Sequence, residues 1–326
     1  MIEIAPAELG PVIGHDAAKR EWLTAAASGR MHHGWLLRGP RGVGKGRLAL
    51  QFAANLLGAD PGNALAVNAE TPIGHLIIAN SHPDLRVIRL PVDDKGKQKS
   101  EIPVDSVRDL SQFFSLRPAM GGWRIAIIDA VDELNRFGAN AILKTLEEPP
   151  ARGVLFLISH GEQPILPTIR SRCRVLRCGA LNEHETLQAL QSAGVERDRA
   201  ERVAQLAPGR PGRALQLEGA DAIAASEAVL VALRNLGGAD ARSLHAALGA
   251  AAKSDVALAA AMETLRSSLQ KRAARETDPV AAGDWAAAAL DVMRLDAEAQ
   301  ALNQDRAQTV SAALSRIVRL ARAGAT

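Results

Sequence analysis

Between Trp123 and Cys173 the chain reads WRIAIIDAVDELNRFGANAILKTLEEPPARGVLFLISHGEQPILPTIRSRC, and this stretch leaves little choice of fold. WRIAII and GVLFLIS are continuous apolar runs rather than alternating ones, as expected of strands buried on both faces. Between them Ala139, Ile142, Leu143 and Leu146 recur at i, i+3, i+4 and i+7. That spacing predicts a helix over Asn140–Glu148, which Pro149 and Pro150 stop. A polar residue closes each element. Asp129 ends the first strand and Ser159 the second, while a short helix after Pro164 and Pro167 carries Ser171, Arg172 and Cys173 to the expected surface.

Upstream, HHGWLLRG reads as a strand running straight into GPRGVGKG, and LALQFAANLL continues as a helix with Leu48, Phe52 and Leu56 on one face. Strand, glycine-rich loop and helix is the context that a phosphate-binding loop requires. In such a loop the backbone N–H groups and the positive end of the helix hold phosphates, and a lysine reaches the terminal ones. Gly39, Gly42, Gly44 and Lys45 supply those parts. The next position ordinarily carries Ser or Thr, whose hydroxyl ligates the magnesium of a bound nucleotide; here it is Gly46, which offers no ligand. The loop is therefore read as one that can take ATP or ADP without competent hydrolysis.

The run IIDAVDELN, then ANAILKTLEEPP, then SRC resembles the AAA+ clamp-loader subunits of bacterial DNA polymerase III, and the resemblance extends over nearly all 326 residues. It implies an α/β fold: an AAA+ P-loop parallel-sheet domain over 1–178, a small helical lid over 179–220, and an all-helical C-terminal oligomerisation domain, or collar, over 221–326. It implies that Asp129 orients magnesium, that Asp132 and Glu133 match the following acidic positions, and that Ser159 senses a terminal phosphate. Arg172 would project across a subunit boundary to the ATP of a neighbour, and Arg213, in PGRPGRALQLEG, would approach a nucleotide from the lid. A guanidinium suits that task because it spreads a fixed charge over donors aimed at the transferring phosphoryl. The implied partners are the motor (gamma/tau-like) and delta subunits, with the sliding clamp and primed DNA reached through the complex. Related subunits often insert four zinc-binding cysteines in the region of residues 58–84; this chain has none there, and no zinc is expected. His75 and His82 are read as loop or core residues.

The remaining features bound the alternatives. Only Cys173 and Cys178 occur, flanking a probable strand on opposite faces, which supports neither a disulfide framework nor a metal site. No apolar run approaches the roughly 20 residues of a membrane helix and the N-terminus lacks a signal-peptide layout, so a cytoplasmic location and no membrane partner are expected. A net charge of +3 permits contact with nucleic acid without arguing for it, and five Phe, four Trp and no Tyr supply a base-stacking platform poorly. IPVDSVRDLSQFFSL predicts a helix buried along Val104, Val107, Leu110 and Phe114, preceded by a charged turn carrying Lys95, Lys97 and Lys99. Beyond residue 221 the chain is alanine-rich and helical, and twelve Lys and Arg oppose eleven Asp and Glu between residues 222 and 326, which is no basic grip for DNA. Such a subunit carries no polymerase site. The length, the missing cysteines and Gly46 argue against the motor subunit, whose ATP-hydrolysing role is the first alternative; another AAA+ DNA-processing ATPase, such as a helicase or an initiator, is the second, and a pure scaffold is the limiting case.

Overall fold

A computed structural model describes residues 10–60, 64–91, 101–161, 165–217, 219–234, 241–302 and 304–323. The turn holding Lys95, Lys97 and Lys99 lies outside the described residues. The chain separates into two compact units, Met1–Val195 and Glu196–Thr326.

The first unit is built on five parallel strands in the order β2-β3-β4-β1-β5: β1 Gly34–Arg38, β2 Leu85–Arg89, β3 Arg124–Asp129, β4 Gly153–Ser159 and β5 Arg174–Arg177. All seven residues of β4 are buried, because helices cover both sheet faces. On one face Trp35, Leu37, Ile125, Ile127, Phe156 and Ile158 join the core with α1 Asp16–Ala27 and α2 Lys45–Leu57. On the other, Leu36, Ile88, Ala126, Ile128, Leu155 and Leu157 pack with α4 Val104–Ser115, α5 Arg136–Glu147 and α6 Pro167–Arg170. A short helix, α3 Pro72–Ile78, is capped by Thr71, whose hydroxyl accepts from the Gly74 N–H; the last helix of the unit is α7 Glu183–Ser192. The expected P-loop sheet followed by helices is the observed architecture.

Strict alternation along the strands divides the two cores, and it places the two cysteines as expected. Cys178 belongs to the first core and Cys173 packs against the second. Burial pushes their thiols up, to about 11 and about 12, so neither is a ready thiolate. The aromatic residues are core material: Trp22 stacks on Phe52 at 4.7 Å between centroids and meets Trp35 edge-on at 5.2 Å, with Phe156 at 5.3 Å.

Two boundaries differ from the sequence expectation. α5 begins at Arg136 rather than Asn140, because the Asn135 side chain accepts from the N–H groups of Phe137 and Gly138 and starts the helix a turn earlier. In α4, Val104 is half-buried and Phe113 is buried with Phe114, since Phe113 is covered by the Arg124 guanidinium 4.6 Å from its ring centroid.

The second unit is helical among the described residues: α8 Arg197–Leu206, α9 Pro211–Gln216, α10 Ala220–Arg234, α11 Ala241–Ala251, α12 Asp255–Arg275, α13 Pro279–Leu302 and α14 Arg306–Ala323. Buried alanines (Ala225, Ala232, Ala247, Ala257, Ala261, Ala289, Ala313) let these helices approach closely around Val229, Leu265, Trp285 and Ile317. Its buried charge is neutralised locally, with Glu263 held between Arg210 and Arg266, the latter at 2.6 Å.

Phe52→Ala removes a fully buried ring that Trp22 stacks on, and should destabilise the α/β unit by ~3–5 kcal/mol in urea unfolding. A loss under ~1 kcal/mol would mean that the aromatic cluster is not the packed centre of this unit.

Candidate functional site

Parallel pairing puts the polar strand ends side by side. Arg38 is opposite Ser159 across β1 and β4, and Asp129 is opposite Ile158 across β3 and β4, so the loop after β1, Asp129 and Ser159 meet at the carboxyl edge of the sheet. In open α/β sheets that edge is where ligands bind. The seam is tight: the Gly39 N–H donates to the Ser159 carbonyl at 3.2 Å and the Cys178 N–H to the Arg38 carbonyl at 2.8 Å. A Cβ on Gly39 would lie 1.7 Å from the Cys178 carbonyl oxygen, so only glycine fits.

The loop itself has the shape of a phosphate cradle, with Gly42 at φ 86° and Gly44 at φ 101° leading into α2. Its lysine, however, folds back. Lys45 Nζ donates to the carbonyls of Gly39 at 2.7 Å and Pro40 at 2.6 Å, and the side chain is 3% exposed. Burial pushes its amine down to about 8, against the pull of the Asp129 carboxylate. The entry segment is stitched onto the loop as well. His15 Nε2 meets the Val43 carbonyl at 2.8 Å, Gln51 bonds the Val12 N–H and the Gly10 carbonyl, and Lys19 donates to the Val12 carbonyl.

The acidic residues are engaged with the protein. Glu133 accepts from Arg41 at 2.6 Å and from the Ala130 N–H at 3.2 Å. Asp132 accepts from the Ser159 hydroxyl at 3.0 Å and from the His160 N–H, which occupies the hydroxyl expected to sense a phosphate. Asp129 lies 3.7 Å from Arg89 Nε on the neighbouring strand; burial pushes its carboxyl above the usual range while Arg89, Lys45 and Arg41 pull it down. Burial and the charges of Arg41 and Lys45 push His160 down to about 2, so its ring is neutral. Arg41, Arg89, His15 and His160 were not singled out from the sequence. Only Arg41, inside the loop motif, stood where attention could have found it.

These residues do not fit a magnesium ion. Gly46 contributes no hydroxyl, and a Cβ there would lie 2.9 Å from Asp129 Oδ2, a side-chain end that would have to turn aside to admit one. Among the described residues there is also no group of three or more His, Cys, Asp or Glu that could hold a metal.

Arg172 sits apart from this edge, just before β5. It is half-buried, pairing through Nη2 with Glu147 at 2.9 Å and donating through Nη1 to the Thr168 carbonyl at 3.0 Å. Arg213 belongs to the second unit, in α9, where Nη1 lies 3.4 Å from Gln216 Oε1. Gly39, Gly42, Gly44, Lys45, Gly46 and Asp129 are thus brought together, and Arg172 is held on another side of the sheet.

Two outcomes follow from this packing. Gly46→Ser should not create magnesium-dependent ATP turnover in the isolated chain and should change stability by less than ~1 kcal/mol, because only the rotatable Asp129 carboxylate stands close, measured by a coupled phosphate assay and by urea unfolding. For Lys45, folded and unfolded chains are equally protonated below about pH 8. Between about 8 and the ordinary 10.5 the unfolded chain alone keeps the proton, so stability rises with pH in that window. Wild type should therefore gain ~3 kcal/mol over Lys45→Met from pH 7 to pH 10.5, and a flat difference would show that Lys45 is not buried in this way.

Comparison with known proteins agrees with the geometry. A family model described as "DNA polymerase III, delta subunit" matches residues 14–182, just over half of the chain. The DNA polymerase III subunit delta' of Pseudomonas aeruginosa is 38% identical over 157 residues, 48% of this chain and 46% of that protein. The delta' subunit of Escherichia coli is 31% identical over 212 residues, 63% of this chain and 60% of that protein. The subunit tau of Salmonella typhimurium is 31% identical over 186 residues, 57% of this chain and 28% of that protein. The chain thus spans less than two thirds of the length of each of these relatives. Because the family match runs from the entry segment through the phosphate-type loop and Arg172 to the end of the sheet, the chain belongs to the DNA polymerase III delta-subunit family, with delta' subunits among its relatives.

Proposed function

We propose that this chain works as a delta'-like subunit of a DNA polymerase III clamp loader, assembled with motor (gamma/tau-like) and delta subunits in the cytoplasm. It helps open the sliding clamp and place it on primed DNA, and it contributes Arg172 to the ATP site of the adjoining subunit. The observation that carries this reading is the setting of Arg172. Its guanidinium is held at the surface by a half-exposed carboxylate and one carbonyl, away from the chain's own loop. An ion pair that is open to water is weak, on the order of 0–1 kcal/mol, and exchanges readily for a phosphate.

The chain's own loop serves as a rigid wall or a site for ATP or ADP, with Gly39, Gly42, Gly44, Lys45 and Gly46 around the phosphates. It does not hydrolyse nucleotide. The misfit of magnesium at Gly46 and Asp129 supports that reading over the motor subunit, although a tau protein is among the relatives. Within this reading the chain has three working parts: the AAA+ domain 1–178, the lid 179–220 with α7 to α9, and the collar 221–326 with α10 to α14.

The test is DNA- and clamp-stimulated ATP hydrolysis by a loader reassembled with its own partner subunits, comparing wild type with Arg172→Ala after assembly is checked by size. Turnover at one site should fall by roughly 10³–10⁵, as when a comparable arginine is removed from other nucleotide hydrolases. Unchanged turnover in an intact assembly would make the chain a scaffold or an ATPase in its own right.

A further inference from the structure

A cleft of about 360 Å³ opens beside the end of β1 and β5, and among the described residues no acid lines it. Its floor is apolar, made by Leu36, Val175 and Ile165, and its rim carries Arg38, Arg170 and Arg177. Alternation fixes this arrangement: Trp35, Leu37 and Leu176 point into the first core beneath α2, whereas Leu36 and Val175 point to the opposite face. Arg38 and Arg177 continue that second row. They are register partners on adjacent strands, and Arg170 joins them from the last position of α6.

Like charges set opposite one another across a strand pair repel, and nothing described relieves them here. Glu133, Glu147 and Glu21 are paired with Arg41, Arg172 and Arg174. Three guanidiniums lining one small apolar-floored cleft offer the kind of forked donors that phosphate oxygens accept. The volume is at the small end of small-molecule sites, and among the described residues no aromatic ring lines the cleft to stack the bases of a strand.

We propose that this cleft binds a small polyanion carrying two or more linked phosphates, at a site distinct from the loop around Lys45. The two adjoin at Gly39 and Pro40, whose carbonyls accept from Lys45 Nζ: Lys45 opens α2 on the first-core face, whereas Leu36 and Val175 of the cleft floor belong to the other. This proposal does not depend on the clamp-loader role.

Calorimetry of the full chain with pyrophosphate and with inorganic triphosphate tests it, using Lys45→Ala and the double variant Arg170→Ala/Arg177→Ala. Both arginines are exposed, so a retained Tm should show that the double variant folds. Binding should persist in Lys45→Ala and weaken about tenfold or more in the double variant. The lysine pair Arg170→Lys/Arg177→Lys should recover part of it, since the charge returns without the fork. Absence of binding by either probe, loss of binding in Lys45→Ala, or undiminished binding in the double variant would overturn the proposal. A single-stranded oligonucleotide that binds where both small probes fail would overturn it too, in favour of a nucleic-acid contact.

Discussion

The passage of β1 between β4 and β5 fixes where the loop at Lys45 and the arginines at the ends of β1 and β5 stand. Backbone N–H groups of Gly39 and Cys178 close that seam on the carbonyls of Ser159 and Arg38, so closely that position 39 admits no side chain. Because the seam is rigid, side chains one residue apart are sent to opposite faces with no freedom to exchange. Lys45 and the loop emerge on the face of α2, and Arg38 and Arg177 emerge on the other. Moving the register by one residue would reverse both sets.

Around the loop, the chain satisfies its own phosphate-type site. The lysine that would meet a ligand bonds two carbonyls, the carboxylates that would orient water or metal bond an arginine, a hydroxyl and backbone N–H groups, and Asp129 stands close to where a side chain at position 46 would begin. Each of these groups is substantially buried, where an unpaired charge is far costlier than a paired one. The glycine at 46 and the inward turn of Asp129 are therefore one feature: the absent side chain is what allows the carboxylate to close on the helix start. A loop of this kind keeps the shape of a nucleotide site while lacking the metal chemistry.

The helical unit follows different packing rules. Its helices meet through alanines, and Glu263, the one buried acid among its described residues, has an arginine on each side. Small residues bring helix backbones close but bury little area each, so long helices such as α12 and α13 are needed to accumulate a core.

The strands, the loop and the helix between Asn135 and Pro149 were legible in the sequence because each is a local pattern: an apolar run, a glycine spacing, a 3.6-residue period. The missing ligand at Gly46 was equally legible, being a matter of residue identity. What escaped was anything set by neighbours distant in the chain. The earlier start of α5 depended on a side-chain cap at Asn135, where apolar periodicity is silent. Arg89 beside Asp129, His160 beside the loop, Phe113 beneath Arg124, and the arginine-rimmed cleft all arise from parallel register and strand order. Sequence by itself determined which elements form and which catalytic group is lacking. Only the tertiary structure decided which charges meet, because that pairing depends on the through-space register of strands whose residues are far apart in the chain.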